Sequence, residues 1–254
     1  MIGIMLARPV SSFIANYASW RVVFLASSAL MVAVAVVLSR VLPQRRPPPG
    51  LTYGSLMASL AHIWTANLVL RRRALYQACM FGAFSVFWTA TPLLLLKDYG
   101  LNQSRVALFA LVGAAGAVAA PLTGHWADRG LIRIGSALAM TGGAAAFLIS
   151  RLAPERSMVG VVILAACGVV LDFAVTTNLV FGQRAIYGLH AEQRSRMNGL
   201  YMATFFTGGA IASALAGWSF AQGGWAWTSL LGAALPLIAL AYFATERRTP
   251  GTSR

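Results

Sequence analysis

Acidic, histidine and cysteine residues are scarce in this sequence. Its 254 residues include 6 Asp and Glu, 3 His and 2 Cys. Cys79 and Cys167 lie in apolar stretches without CxxC spacing, and His62, His125 and His190 are far apart, so we predict no metal site and no redox site. The sequence also lacks phosphate-binding glycine loops, nucleophile elbows and HExxH patterns. It therefore predicts no cofactor and no enzyme, and it gives no support to ATP-driven transport.

Long runs of apolar residues are abundant in this sequence. Hydrophobic residues make up 58% of the chain, charged residues make up 10%, and the mean hydropathy is +0.70. A helix needs ~20 apolar residues to cross a bilayer core. Seven runs approach this length, at residues 22–39, 74–96, 106–123, 131–150, 158–181, 197–219 and 225–243, and a shorter run covers residues 1–15. We therefore predict an all-α, polytopic membrane helix bundle in contact with a lipid bilayer.

The 20 Lys and Arg residues lie in short tracts between the apolar runs. This distribution argues against a nucleic-acid partner, which would need one basic surface. Fourteen basic residues fall in alternate loops and five fall in the others, with Arg8 near the first run. The five are Arg21, Lys97, Arg105, Arg151 and Arg156. By the positive-inside rule the richer side, with the C-terminus, is predicted to be cytoplasmic, and the membrane to be a bacterial inner membrane.

One proline-rich stretch, residues 43–50, cannot be helical and predicts a solvated cytoplasmic linker. Apolar residues then recur at helical spacing until an arginine tract closes the segment, which predicts an amphipathic helix at the membrane surface. These residues are Leu56, Leu60, Ile63, Trp64 and Val69, followed by Arg71, Arg72 and Arg73. The predicted boundaries are therefore 1–42, 43–73, 74–244, and a cytoplasmic tail at 245–254.

A short motif lies in the predicted cytoplasmic turn between two apolar runs. Its sequence is GHWADRG at residues 124–130, with Arg133 shortly after. It resembles the loop between the eighth and ninth helices of major facilitator superfamily transporters, although the two positions after it lack the family's glycine and basic residue. The resemblance implies that Gly124 allows close approach, that Asp128 accepts hydrogen bonds from amides of the next helix, and that Arg129 pairs across the bundle. Together with Arg133 these residues form a predicted conformational-switch loop.

A second resemblance covers residues 172–217. It is similar to the tenth and eleventh helices of the drug and sugar efflux branch of the same superfamily, in which Arg194, Arg196 and Asn198 match a cytoplasmic loop motif. Residues 3–12 resemble the glycine-proline motif of family antiporters, but two of the glycine positions hold other residues. The resemblance therefore implies efflux and gives antiport little support of its own.

Small residues recur in the second and fifth of the last six runs, which predicts two three-helix units with close helix packing. They are Gly116, Ala120 and Gly124 in one run, and Gly209, Ser213 and Gly217 in the other. The resemblance implies that 1–42 is the end of an N-terminal half, with a partial fifth and a sixth span, and that 74–244 is the C-terminal six-helix half. We expect the missing N-terminal half, or a second copy of the chain, to be a partner.

Asp172 is the carboxylate placed well inside a predicted span, where an uncompensated charge is unfavourable. A helix places it on one face with Thr176 and Gln183. The candidates on the run 74–96 are Gln77, Phe81, Ser85 and Trp88. The resemblance implies that these two helices, the family's seventh and tenth, line a central cavity. Asp172 then either carries a coupling proton, or contacts a cationic or polyhydroxyl substrate, or is a structural residue bonded to a neighbouring helix.

These features together predict secondary active transport of a small organic solute, as proton-coupled efflux by alternating access. The alternative is a transport-inactive half, or a membrane-embedded interaction subunit that keeps the fold of one half. A membrane enzyme is disfavoured because acids and nucleophiles do not cluster. The reading frame upstream of Met1 distinguishes the first two, since four further encoded spans would favour the transporter.

Overall fold

The computed structural model describes residues 10–11, 14, 18–43, 52–113, 119–189 and 193–246, and its regular secondary structure there is helical throughout. The helices are α1 (Trp20–Val41), α2 (Tyr53–Ala66), α3 (Leu68–Lys97), α4 (Gln103–Val112), α5 (Ala119–Asp128), α6 (Ile132–Ser150), α7 (Met158–Tyr187) and α8 (Arg194–Ala244). Within these residues, α1, α3, α6, α7 and α8 are long and apolar enough to cross a membrane. The predicted all-α membrane bundle is therefore confirmed.

Two of the predicted runs correspond to one helix. The runs 197–219 and 225–243 both belong to α8, whose backbone is non-helical only at Gly223 and Gly224. Gly224 has φ +58 and ψ −148, a conformation open to glycine but strained for residues with a Cβ. Both ends of α8 pack near the start of α3, through Tyr201 at one end and Phe243 at the other. The two glycines therefore reverse the chain, and α8 is a helical hairpin.

The predicted run 106–123 is described in two parts. The helix α4 ends at Val112, α5 begins at Ala119, and residues 114–118 lie outside the described part of the chain. Gly116, one of the predicted packing glycines, is among them.

Helix α3 is central to the bundle and packs against both arms of α8 and against α7. Phe87 of α3, Phe147 of α6 and Leu171 of α7 are each at most 1% exposed in the main core. Lipid is about as apolar as these side chains, so close packing rather than exclusion from water holds the helices together. At the crossing of α3 and α8, a Cβ on Gly208 would lie 2.9 Å from the Ala78 carbonyl oxygen. A glycine is therefore needed for the two backbones to approach this closely.

Helix α2 begins with a capping box, in which the Thr52 and Ser55 side chains each accept from the other's backbone N–H. Its less exposed face includes Leu60 and Ile63, and it packs against α3 and α8. The backbone breaks at Asn67, earlier than the sequence suggested. Val69 and the arginine tract therefore belong to the first turns of α3 rather than to the surface helix, because α3 starts at Leu68.

Helix α1 differs from the others in that none of its residues is buried. Its mean hydropathy over an 18-residue window is 2.6, the highest among the candidate spans. Such a surface belongs against lipid or against protein beyond the described residues.

Candidate functional site

Helices α3 and α7 run antiparallel and bring buried polar side chains together. The Asn178 side-chain amide donates to Gln77 Oε1 at 2.8 Å, and Gln77 Nε2 donates to the Val175 carbonyl at 3.5 Å. Nearer the other end, the Trp88 indole N–H donates to Asp172 Oδ1 at 2.8 Å. Gln77, Asp172 and Asn178 are each at most 3% exposed. Buried polar groups are costly unless bonded, so these contacts fix the register of the two helices.

A cavity of about 330 Å³ lies along this pair of helices. The described residues that line it are Gln77, Phe81, Phe84 and Trp88 of α3, Ala110 of α4, Gly113 just after α4, Asp172, Val175, Thr176, Leu179 and Gln183 of α7, and Met202, Phe205 and Phe206 of α8. The structure thus brings together six of the polar and aromatic residues singled out from helical spacing, namely Gln77, Phe81, Trp88, Asp172, Thr176 and Gln183.

Ser85 does not line this cavity, contrary to the prediction. Its Oγ lies 3.0 Å from the position that a Cβ on Gly209 would occupy, so it faces α8. The lining residues of α3 follow the spacing 77, 81, 84 and 88. Phe84 follows Gln77 by seven residues, which is nearly two full helical turns, so the two side chains lie on the same face. Ser85 follows Gln77 by eight residues and therefore lies on the neighbouring face. Phe84 therefore takes the place that the sequence analysis gave to Ser85.

Asp172 is also close to the end of α4, at a position that the sequence analysis did not single out. A Cβ on Gly113 would lie 2.9 Å from Asp172 Oδ2 and 2.7 Å from the Trp88 ring. These distances are shorter than real Cβ contacts allow, so a residue with a Cβ at this position would force Trp88, Asp172 or the end of α4 to move. Helix α5 is joined to α7 by the hydroxyl pair Thr123 and Thr177, whose oxygens are 3.0 Å apart.

An aromatic wall covers the α3 and α8 side of the cavity. The ring of Phe81 lies 5.4 Å from Phe84, 5.1 Å from Phe205 and 5.3 Å from Phe206, measured between centroids. Trp88 extends the wall beyond Phe84. None of the described lining residues is Lys, Arg or His. The arrangement can exchange a proton at Asp172 and can bind an organic molecule, but it presents no nucleophile paired with a base.

The predicted switch loop lies at the C-terminal end of α5. Gly124 and Asp128 lie within α5, and the turn itself covers residues 129–131, with Gly130 at φ +75. Asp128 forms an ion pair with Arg184 of α7 at 3.3 Å. The cap position of α6 is Leu131 and no side chain caps it, so Asp128 does not accept from the next helix as expected. Because α5 continues through Asp128, its carboxylate reaches sideways to α7.

The family model described as Major Facilitator Superfamily matches residues 1–191. This chain belongs to the major facilitator superfamily.

Proteins similar to this chain are named as transporters. The chain is 36% identical over 241 residues to an uncharacterized transporter, YgaY of Escherichia coli O157:H7, covering 94% of this chain and 60% of that protein. It is 30% identical over 257 residues to SCO4007 of Streptomyces coelicolor, named a probable transporter, covering 97% of this chain and 56% of that protein. The chain thus spans 56–60% of the length of these relatives. Membership and apolar helices together make it an integral membrane protein and support a role in membrane transport.

A second polar cluster of this superfamily member joins the start of α3 to the end of α8. Arg73 lies 3.7 Å from Glu246 and donates to Ser136 Oγ at 3.0 Å. The Tyr76 hydroxyl donates to Glu246 Oε2 at 3.4 Å, and Arg133 donates to the Glu246 carbonyl at 3.0 Å. Arg133 of the predicted switch loop is therefore held by the end of α8. We call Arg73, Tyr76, Arg133, Ser136 and Glu246 the Glu246 cluster. The sequence did not point to Glu246, because this residue is remote from its partners along the chain.

The residues of the second family motif tie helix ends together. Arg194 donates to the Tyr187 carbonyl at 3.0 Å, and the Tyr187 hydroxyl donates to Asn198 Oδ1 at 3.1 Å. Arg196 donates to Ser59 Oγ of α2 at 2.9 Å. The motif therefore connects the end of α7, the start of α8 and the surface helix.

The predicted packing residues divide into two groups. A Cβ on Gly209 would lie 2.5 Å from the Phe81 ring, and Ser213 shares a 2.9 Å hydroxyl contact with Thr89. In contrast, a Cβ on Gly124 or Gly217 would meet no atom of the described chain within 4 Å. Close packing between described helices therefore does not explain Gly124 and Gly217.

Proposed function

We propose that this chain forms the larger part of a secondary active transporter that exports a small organic solute in exchange for protons. The observation that carries the proposal is the buried Asp172 on the wall of a 330 Å³ cavity between α3 and α7. A carboxylate in a membrane helix is unfavourable by roughly 2.5–3.5 kcal/mol when ionised, and such residues mark ion and proton pathways. Reversible protonation of Asp172 would couple proton movement to binding in the adjacent space.

The proposed architecture follows the superfamily's two-half design. Residues 74–244 would be one six-helix half, residues 1–42 the end of the preceding half, residues 43–73 the linker, and 245–254 a tail. The lack of buried residues in α1 supports contact with lipid or with further protein, either an N-terminal half or a second copy. Alternating access would then rock the six-helix half against that partner. The motif at 194–198 supports a place in the drug and sugar efflux branch.

The proposed orientation places the C-terminus in the cytoplasm of a bacterial cell, with the transporter in the inner membrane, on the basis of the unequal distribution of basic residues. A variant lacking Cys79 and Cys167 would carry one new cysteine, at Arg45 or at Arg156. An impermeant maleimide added to intact cells should label Arg156→Cys only. Labelling of Arg45→Cys under these conditions would reverse the orientation.

Proton coupling can be tested with the protein expressed from its complete gene and reconstituted in liposomes containing a pH-sensitive dye. Gradients of small amines, sugars and carboxylic acids are imposed in turn. We expect at least one solute to drive proton movement that protein-free liposomes do not show. Solute exchange without proton movement would refute the coupling, and no exchange of any solute would favour a transport-inactive subunit.

A further inference from the structure

A second cavity lies at the end of α3, whereas the Glu246 cluster lies at the start of that helix. Its volume is about 350 Å³, and its walls come from the end of α3, the end of α6 with the turn to α7, and the reversal of α8. We call it the reversal cavity. Its polar and aromatic lining includes Asp98, Tyr99, Arg151, Glu155, Arg156 and Trp225.

The charged side chains of the reversal cavity have both signs and do not pair with one another. Both ion pairs found among the described residues lie elsewhere, in the Glu246 cluster and between α5 and α7. Asp98, Glu155 and Arg156 therefore have no oppositely charged partner at ion-pair distance in that part of the chain. The Arg151 guanidinium donates to a neutral acceptor, the Ala226 carbonyl, at 3.2 Å. Two carboxylates and two guanidinium groups thus line one space without neutralising each other.

The two carboxylates, Asp98 and Glu155, form an acidic pair near Tyr99. Burial raises the pKa of the Tyr99 hydroxyl, and the negative charges of Glu155 and Asp98 raise this pKa further. The hydroxyl donates to the Pro154 carbonyl at 3.2 Å, which ties the turn containing Glu155 to the end of α3. Asp98 is the C-cap residue of α3, where the helix dipole is negative, and neighbouring Lys97 makes no ion pair with it. A cation bound beside the acidic pair would therefore be stabilised.

The two guanidinium groups, those of Arg151 and Arg156, form a basic pair that suits an oxyanion. Arg151 follows α6 directly, and its bond to Ala226 holds it against the reversal of α8. Both arginines are exposed, so an oxyanion arriving from solvent can reach them. The Trp225 indole nitrogen is buried without an acceptor in the described chain, although Trp225 lines this cavity. An oxyanion would add acceptors to a cavity in which donors are in excess.

The reversal cavity also lies where membrane helices end. The candidate spans α3 and α6 end at its walls, α7 begins after the turn, and α8 reverses there. Phospholipid head groups meet water at this depth. Leu152 and Met158, on either side of the same turn, are 76% and 71% exposed, so apolar surface suited to acyl chains flanks the turn.

We propose that the reversal cavity binds a zwitterionic group, with its ammonium beside the acidic pair and its oxyanion beside the basic pair. The phosphoethanolamine head group of a phospholipid and a free amino acid share this chemistry, and a volume at the lower end for ligand sites admits either. An ion of one sign would be attracted by one pair and repelled by the other. The inference does not depend on transport, because this cavity is separate from the one beside Asp172.

The test measures ligand-dependent stability. Protein expressed from the complete gene is purified in detergent, and its melting temperature is followed while dihexanoylphosphatidylethanolamine or alanine is added. A ligand that binds the folded protein raises the melting temperature. Dihexanoylphosphatidylglycerol and ethanolamine, which carry one charge each, are the comparison compounds. We expect at least one zwitterion to give a saturable rise at concentrations where the singly charged compounds give none.

Two variants separate a zwitterion from a simple ion. Asp98→Asn and Arg156→Asn should each raise the half-saturating concentration by about fivefold or more, because each removes a charge-assisted contact. Arg156 has φ +56, a conformation that Asn tolerates, so its replacement should not disturb the turn. Arg105→Asn, at an exposed position of α4 outside the cavity, is the control and should leave the half-saturating concentration unchanged.

The source of the ligand follows from which zwitterion responds. A response to the phospholipid alone identifies a head-group site, and a response to alanine alone identifies a site for a free solute; both uphold the proposal. A cation site would be weakened by Asp98→Asn but not by Arg156→Asn, and an anion site would show the reverse. Either pattern, an equal response to a singly charged compound, or no response to either zwitterion would overturn it.

Discussion

Asp172 and Glu246 are two carboxylates beside the same helix, α3, and their surroundings differ. Glu246 lies between Arg73 and Tyr76, with Arg133 bound to its backbone carbonyl. Asp172 accepts from a neutral indole on the wall of a cavity whose described lining contains no basic residue. A charge that is matched by fixed cations stabilises one arrangement of helices. A carboxylate on the wall of a cavity is within reach of a solute that enters it, so the first region suits structure and the second suits function.

The largest effect on proton-coupled transport should come from Asp172→Asn, which removes the charge of the carboxylate and keeps the shape of the side chain. We expect solute-driven proton movement to be abolished, while exchange of solute down its gradient persists. The measurement is proton flux in proteoliposomes at matched protein content. Undiminished flux would make Asp172 a structural residue like Glu246 and remove the contrast between the two regions.

Next, Gly113→Ala should disturb the cavity without changing its charge. The new Cβ would meet the Trp88 ring at 2.7 Å and Asp172 Oδ2 at 2.9 Å, so the indole or α4 has to move. Overpacking of this kind costs about 1–3 kcal/mol. We expect solute affinity to fall by about tenfold or more, measured as the solute concentration that gives half-maximal proton movement in liposomes.

Gly124→Ala is the matched control for Gly113→Ala. It also adds one methyl group to a helical region, but nothing in the described chain lies within 4 Å of the new Cβ. Its affinity should match that of the unmodified protein. A similar loss in both variants would show that the effect of Gly113→Ala does not come from the contact with Asp172.

Glu246→Gln tests the structural region. Arg73 has a side chain only 9% exposed and would lose its counter-charge, whereas Glu246 itself is 29% exposed, which moderates the cost. We expect a loss of about 1–2 kcal/mol in the free energy of unfolding, or roughly 2–8 °C in the melting temperature measured in detergent, with solute affinity unchanged. Weaker ligand binding at unchanged stability would reverse the roles assigned to the two regions.

The smallest effect on stability should come from Asp128→Ala. The ion pair of Asp128 and Arg184 is exposed on both sides, at 61% and 52%, so its loss costs about 0–1 kcal/mol. If the loop nevertheless acts as a conformational switch, the variant should alter the accessibility of cysteines on the two membrane sides. Unchanged accessibility and unchanged transport at equal expression would reduce Asp128 to an ordinary turn residue.

Much of the cavity could be predicted because its polar residues share helical faces. Asp172, Thr176 and Gln183 repeat at intervals close to the helical period, and so do Gln77 and Trp88 on α3. Ser85 was predicted to line the cavity, but the adjacent residue, Phe84, lines it instead. Helical spacings of three and four residues are both compatible with one face, so the sequence did not distinguish the two positions. Apolar repeats do not show which of Phe84 and Ser85 faces the cavity until the partner helix is placed.

Other features had no local signal. Gly113 is needed because α4 ends against Trp88 and Asp172, and a single glycine in an apolar run does not indicate what it will touch. Glu246 pairs with Arg73 across most of the described chain, and sequence spacing carries no information about contacts at that distance. The role expected for Asp128 also changed, because α5 extends through Asp128 and the turn begins only at residue 129, whereas the prediction placed the whole motif 124–130 in the turn.

The sequence by itself determined that this protein is a bundle of membrane helices, since apolar length and helical periodicity are properties of consecutive residues. It also determined which faces of α3 and α7 are polar. Only the tertiary structure decided that α8 folds back on itself, that Gly113 lies against Trp88 and Asp172, and that an arginine contacts Glu246 while an indole donates to Asp172. Those outcomes depend on which helices touch, and in a membrane the helices are selected by close packing and hydrogen bonding between segments that are distant along the chain.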